Sequence, residues 1–108
     1  MRRVVIESPY AGATPEDVQA HEQYALAAVL DCLARGESPY ASHLLLTRVL
    51  DDGDPGERKR GIEAGLAWYA GSDACVVYAD LGVSDGMRQG IEAAKSAGVP
   101  VEHRTMWR

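Results

Sequence analysis

The sequence predicts a small three-layer α/β sandwich built on a parallel sheet in the order 2-1-3-4, and three observations predict it. Short apolar runs, Arg3-Val4-Val5-Ile6 and Cys75-Val76-Val77-Tyr78 foremost, are bounded by polar turns and read as buried strands. Longer segments with helical spacing follow them, each opened by a capping residue: Thr14-Pro15, Asp54-Pro55 and Ser84-Asp85. Strands that alternate with helices form βαβ units, whose parallel strands and right-handed crossovers leave few topologies.

In chain order, the first strand, Arg3–Ile6, exits into the loop Glu7-Ser8-Pro9-Tyr10-Ala11-Gly12-Ala13. Thr14 then caps a helix with proline at its first position and Glu16 and Asp17 in its first turn, where the helix dipole favours acids. Val18, Ala25, Val29 and Cys32, supported by Leu26 and Leu33, are expected to face the core, and Gly36 ends the helix. Ser38-Pro39-Tyr40-Ala41 forms a second strand with its proline at the start, where a missing donor is tolerated. Ser42 to Leu50 reads equally as a helix or as an irregular apolar segment. The acidic turn Asp51 to Gly56 opens a helix whose stripe is Ile62, Leu66 and Tyr69 and which ends near Gly71. The strand Ala74 to Asp80 and the helix from Ser84 to Gly98 follow, and Val99 to Arg104 closes the sheet ahead of a frayed tail containing Trp107.

At 108 residues the chain fits a single domain, 1–108, able to bury roughly 65% of its unfolded surface without staples. Its net charge of −5 argues against a nucleic-acid surface, which needs clustered cations. Arg58, Lys59 and Arg60 sit among acids and read as a solvated mixed-charge face. No apolar run approaches the ~18 residues of a membrane span, so a cytoplasmic protein is expected. Cys32 and Cys75 lie on apolar elements without CxxC spacing and read as reduced core thiols. Neither a glycine-rich phosphate loop, a GxSxG elbow nor a metal-ligand spacing is present, so no cofactor and no metal are expected.

In the order 2-1-3-4 the chain reverses direction between strands 1 and 3, and open α/β sheets bind ligands at that point, outside the strand C-termini. Two loops meet there. The first offers Glu7, Ser8, Pro9, Tyr10 and Gly12; the second offers Asp80 and the helix start Ser84-Asp85-Gly86-Met87, whose N–H groups favour oxygen-rich ligands. Tyr10 suits stacking on a base. His43, after strand 2, lies on the same sheet edge. Glu7 and Asp80 are the carboxylates placed for acid, base or nucleophile work.

The segments Ser8-Pro9-Tyr10-x-Gly12, Pro39-Tyr40-Ala41-Ser42-His43-Leu44-Leu45, Asp51-Asp52-x-Asp54-Pro55-x-Glu57-Arg58 and Ser84-x-Gly86-Met87, with Ile91-Glu92-x-Ala94-Lys95, keep one order along nearly the whole chain. In these the chain resembles the small nucleoside 2-deoxyribosyltransferase-like proteins, many of them uncharacterised proteins of bacteria and their phages. The resemblance implies a flavodoxin-like α/β fold, usually oligomeric, whose working members cleave the N-glycosidic bond of a deoxynucleoside or nucleotide. It also implies a substrate loop at Ser8 and Tyr10, with Asp80, Asp85 and Ser84 near the sugar.

The family's nucleophilic glutamate falls on Gly90, which has no side chain. Glu92, two residues on, is turned by about 200° and points elsewhere, which leaves Glu7 as the carboxylate able to reach the crevice. Gly90 also lies on a bare flank, Gly86, Gly90, Ala93 and Ala97, that Gly61 and Gly65 repeat on the preceding helix. Such a flank means close helix packing, within the chain or across a homodimer, or room for a ligand. The expected function is binding of a nucleoside- or nucleotide-like molecule with catalysis lost or weakened. The alternatives are an active transferase or N-glycoside hydrolase using Glu7, or a homo-oligomeric interaction subunit.

Overall fold

The computed structural model describes residues 1–107. Four strands, β1 (Arg3–Glu7), β2 (Ser38–Tyr40), β3 (Ala74–Tyr78) and β4 (Val101–Arg104), form a parallel sheet in the order β2-β1-β3-β4. The helices are α1 (Pro15–Ala34), α2 (Ser42–Leu45), α3 (Pro55–Leu66) and α4 (Asp85–Ser96), with 3-10 turns at Leu46–Arg48 and Ala67–Tyr69.

Strand side chains alternate between faces, and this builds two cores. Val4, Ile6, Ala74, Val76 and Tyr78 meet Tyr24, Ala28 and Cys32 of α1. Val5, Cys75 and Val77 meet Met87, Ile91 and Ala94 of α4 together with Tyr69. Glu7 shares the parity of Val5 and therefore points to the α4 side.

The caps form as the residue types dictate. Thr14 accepts from Asp17 N–H, Asp54 from Gly56 and Glu57 N–H, and Ser84 from Met87 N–H. Gly36 ends α1 with φ +78°, a conformation that side chains rarely adopt.

Three expectations need correction. The stripe of α1 runs through Tyr24, Ala25, Ala28 and Cys32, while Leu26 and Leu33 are 48% and 53% exposed. The inner face is taken by Tyr24, Ala28 and Cys32, which pack on the β1 and β3 side chains. Gly90 lies within the sheet-facing stripe of α4, alongside Met87, Ile91 and Ala94, while Gly86 and Ala97 are exposed, so no separate bare flank exists. The tail is pinned: Met106 and Trp107 N–H donate to the Asp80 carboxylate, and Trp107 packs edge-on against Tyr24.

The Ser42–Leu50 segment resolves into α2 and a 3-10 turn packed against α3. A Cβ at Gly65 would lie 2.7 Å from Ser42 Oγ, and one at Gly61 would lie 3.3 Å from Leu50 Cδ1, so those glycines let the two segments approach. No helix of the described residues is long and apolar enough to cross a membrane.

Candidate functional site

β1 runs past its last pairing with β2, Val5 with Tyr40, and ends beside β3 with Glu7 opposite Val77. Above that step, at the C-terminal edge of the sheet, lies a cavity of about 430 Å³. The loop after β1 and the start of α4 wall one side; α2, the following 3-10 turn and α3 wall the other.

Of the residues expected at the site, Glu7, Ser8, Tyr10, Ser84, Asp85, Gly86 and Met87 line the cavity from the first of these sides, and His43 from the second. Four do not line it. Pro9 is buried beneath the loop, and Gly12 packs so closely on the first turn of α1 that a Cβ there would collide with Asp17. Asp80 is occupied elsewhere: Tyr24 O–H donates to it at 2.6 Å, besides the tail amides, and Asp80 N–H donates back to the Tyr24 oxygen at 2.9 Å. Desolvation raises the Asp80 pKa, but these hydrogen bonds more than offset it and hold the carboxyl below its ordinary value. Asp80 thus fastens the C-terminal tail, and the assignment of a catalytic role to it does not fit this geometry.

Gly90, the fourth, sits behind the cavity floor. A Cβ at this position would land on the Glu7 carboxylate, 2.7 Å from Oε1 and closer still to Cδ and Oε2. The carboxylate of β1 therefore fills the space into which a side chain at 90 would grow. The glycine makes room neither for a second helix nor directly for a ligand, but for Glu7.

Tyr69 O–H donates a hydrogen bond to Glu7 Oε2 from beneath. Burial pushes the Glu7 carboxyl up to about 7, with the Tyr69 hydrogen bond pulling the other way. Beside it, Ser8 Oγ and His43 Nε2 are 2.8 Å apart, and burial brings the His43 imidazole down to about 4, so the ring is neutral at pH 7. Tyr10 meets His43 edge-on at 6.2 Å between ring centroids, and its backbone carbonyl contacts His21 Nδ1 at 3.0 Å. The floor thus holds one ionisable carboxyl, one neutral imidazole–hydroxyl pair and an aromatic wall.

The raised Glu7 pKa has a measurable consequence. Its carboxyl titrates at 4.5 when unfolded and at about 7 when folded. Folding takes up a proton between these values, so the stability present below pH 4.5 is lost as the pH rises to about 7. Discounted for its partial exposure, the loss is about 2 kcal/mol. Glu7→Gln, which does not ionise, is expected to match the wild type in urea unfolding at pH 4.5 and to exceed it by about 2 kcal/mol at pH 8. His43 titrates in both proteins and cancels from the comparison. A difference that is equal at both pH values would contradict a buried, ionisable Glu7.

Sequence reasoning missed the α2–α3 wall: Ser42, Thr47, Asp52, Glu57 and Arg58 all line the cavity. Two of the family-like segments contain all of these residues but Thr47, and only the fold shows that they turn inward. Arg58, read as part of a solvated face, is in fact the sole cation of the lining among the described residues. Among the same residues no group of three or more His, Cys, Asp or Glu side chains is placed to hold a metal ion.

The model of a domain of unknown function, DUF7768, matches residues 2–104. The chain belongs to that family. No curated protein matches it. Among solved structures, the DUF7768 chain is similar to a 2-deoxyribosyltransferase from the psychrotolerant bacterium Bacillus psychrosaccharolyticus, with a TM-score of 0.64 and 16% identity over 95% of this chain and 72% of that one. A CMP N-glycosidase from Clostridium botulinum gives a TM-score of 0.49 and 14% identity over 96% of this chain and 69% of that one, a likeness too slight to carry an argument. The first likeness is one of fold: this chain shares its fold with that 2-deoxyribosyltransferase, and its sheet order is the one predicted from the sequence.

Proposed function

We propose that the cavity binds a nucleoside-like small molecule. Its volume of about 430 Å³ lies in the roughly 300–1,000 Å³ range of small-molecule sites, and the half-buried Tyr10 ring offers a face for a base. The fold it shares with a 2-deoxyribosyltransferase supports the same ligand class. Charge narrows the choice further. The lining carries Glu7, Asp52, Glu57 and Asp85 against Arg58 alone, a field that repels phosphate. A neutral nucleoside therefore fits better than its monophosphate.

A second reading, that the protein acts on the N-glycosidic bond, is favoured by one observation: the Glu7 carboxylate fills the volume of the missing side chain at 90. In this reading Glu7 Oε1 forms a bond to the anomeric carbon as the carbon–nitrogen bond breaks. The electron pair leaves with the base nitrogen, which takes a proton from water. Water or a second base then displaces the carboxylate and regenerates it. The neutral Ser8–His43 pair would hold the sugar without adding charge beside the developing cation.

Isothermal calorimetry with deoxynucleosides and their monophosphates tests the binding. Nucleosides are expected to bind in the micromolar to millimolar range and monophosphates several-fold more weakly. Absence of heat with every nucleoside at millimolar concentration would overturn the ligand class, and tighter binding of the monophosphates would overturn the charge argument.

A further inference from the structure

We infer that Tyr69 is the positioning residue of Glu7: its phenol holds Oε2 from beneath the cavity, leaves Oε1 to the ligand and favours the ionised carboxylate. The inference rests on Glu7 being the working carboxyl of the site. Tyr69 lies at the end of the 3-10 turn after α3, is 1% exposed and does not line the cavity, so it acts only through Glu7.

Three features fix its role. The Tyr69 backbone carbonyl accepts from Ser72 N–H at 3.1 Å and from Ser72 Oγ at 2.8 Å, which anchors the residue. Cys75 Sγ lies 3.5 Å from the phenol oxygen and donates to it, so the phenol's own proton is committed to Glu7. The resulting chain runs in one direction, from the Cys75 thiol through the Tyr69 hydroxyl to Glu7 Oε2.

The third feature is what Glu7 lacks. It makes no ion pair among the described residues, and its Oε1 accepts no hydrogen bond among them. The surroundings explain this: β3 brings Cys75, whose thiol burial holds protonated with a pKa of about 11; α4 brings the uncharged Gly90 and Met87; and α2 brings His43, neutral at pH 7. The phenol is thus the group that offsets desolvation of the charge. Gly90 completes the arrangement, since a side chain there would push the carboxylate off Tyr69.

The test is a carbon-13 NMR titration of the Glu7 carboxyl in the ligand-free protein, its resonance assigned by loss in Glu7→Gln. Tyr69→Phe keeps the packing ring and removes the hydroxyl. It is expected to raise the titration midpoint by about one unit, a tenfold change in proton affinity. Placing 3-fluorotyrosine, a more acidic phenol, at position 69 is expected to lower the midpoint, and this protein decides the matter if Tyr69→Phe does not fold. A merely structural role moves neither midpoint, and two unchanged midpoints would overturn the inference. Shifted midpoints in a protein that binds no nucleoside would support the coupling of Tyr69 to Glu7 and overturn only the nucleoside reading.

Discussion

Replacing Glu37 by alanine is expected to cost about 3–5 kcal/mol of folding stability, a large share of the ~5–15 kcal/mol that holds a domain together. Glu37 is 5% exposed and faces Arg104, itself 8% exposed, in a two-pronged pair: Nη1 donates to Oε1 at 2.7 Å and Nη2 to Oε2 at 2.8 Å. Arg104 Nη1 also donates to the Tyr78 phenol oxygen at 3.2 Å, and Tyr78 O–H donates to Asp31 at 2.6 Å. The guanidinium at the end of β4, one sheet edge, is thereby tied to the residue that precedes β2, the other edge, beneath the last turns of α1. Truncation at 37 removes the two-pronged partner of that buried guanidinium and leaves it only the more exposed Glu102 carboxylate, 3.1 Å from Nη2, which is why the cost exceeds the value of the pair itself. The Arg104 hydrogen bonds hold the Glu37 carboxyl below its ordinary value, so the contribution is present above pH 4.5 and lost as the pH falls through the lower folded value. Urea unfolding at pH 7 checks the magnitude. Leucine at 37 combined with methionine at 104 is expected to recover most of the loss, and a Glu37→Ala protein within 1 kcal/mol of the wild type would contradict the clamp.

Gly90→Ala is expected to cost about 3 kcal/mol, far more than a helical glycine-to-alanine change, which normally stabilises by ~0.5–1 kcal/mol. The added methyl takes the space of the Glu7 carboxylate, which must leave both its pocket and the Tyr69 hydroxyl. In a Glu7→Ala background the collision is gone, and the same substitution is expected to be stabilising by ~0.5–1 kcal/mol. Urea unfolding of the four proteins of this cycle reads the coupling directly. Equal effects of Gly90→Ala in both backgrounds would mean that Glu7 does not occupy the space in front of residue 90.

The fold was legible where local chemistry and global architecture agree. Val4-Val5-Ile6 and Ala74 to Tyr78 are apolar throughout because both faces of the sheet are covered, and Thr14, Asp54 and Ser84 cap the helices as short polar side chains do. The switch point followed from strand order, and it brought the loop after β1 to the start of α4. What periodicity did not carry was contact across long stretches of chain. Tyr69 reaches Glu7 from 62 residues away, and Asp80 meets the tail from 26 and 27 residues away, so the carboxylate read as catalytic is a structural fastener. Leucines at 26 and 33 match helical spacing equally well on either flank, and only the packing of α1 on the β1 and β3 side chains shows that Tyr24, Ala28 and Cys32 take the inner face. Gly90 was seen as a gap in chemistry and as a gap in packing. The structure shows the Glu7 carboxylate, supplied by β1, standing where a side chain from α4 would grow.

The most direct test of Glu7 in that place is release of free base from deoxynucleosides, followed by chromatography, in the wild type and in Glu7→Gln, whose fold is checked by its unfolding midpoint. On the reading that the protein acts on the N-glycosidic bond, nucleoside-dependent release by the wild type that falls at least a hundredfold in Glu7→Gln, while Glu92→Gln and Asp80→Asn retain it in the folded state, is the predicted result. Release that survives in Glu7→Gln would contradict the assignment of Glu7 as the carboxylate of this site.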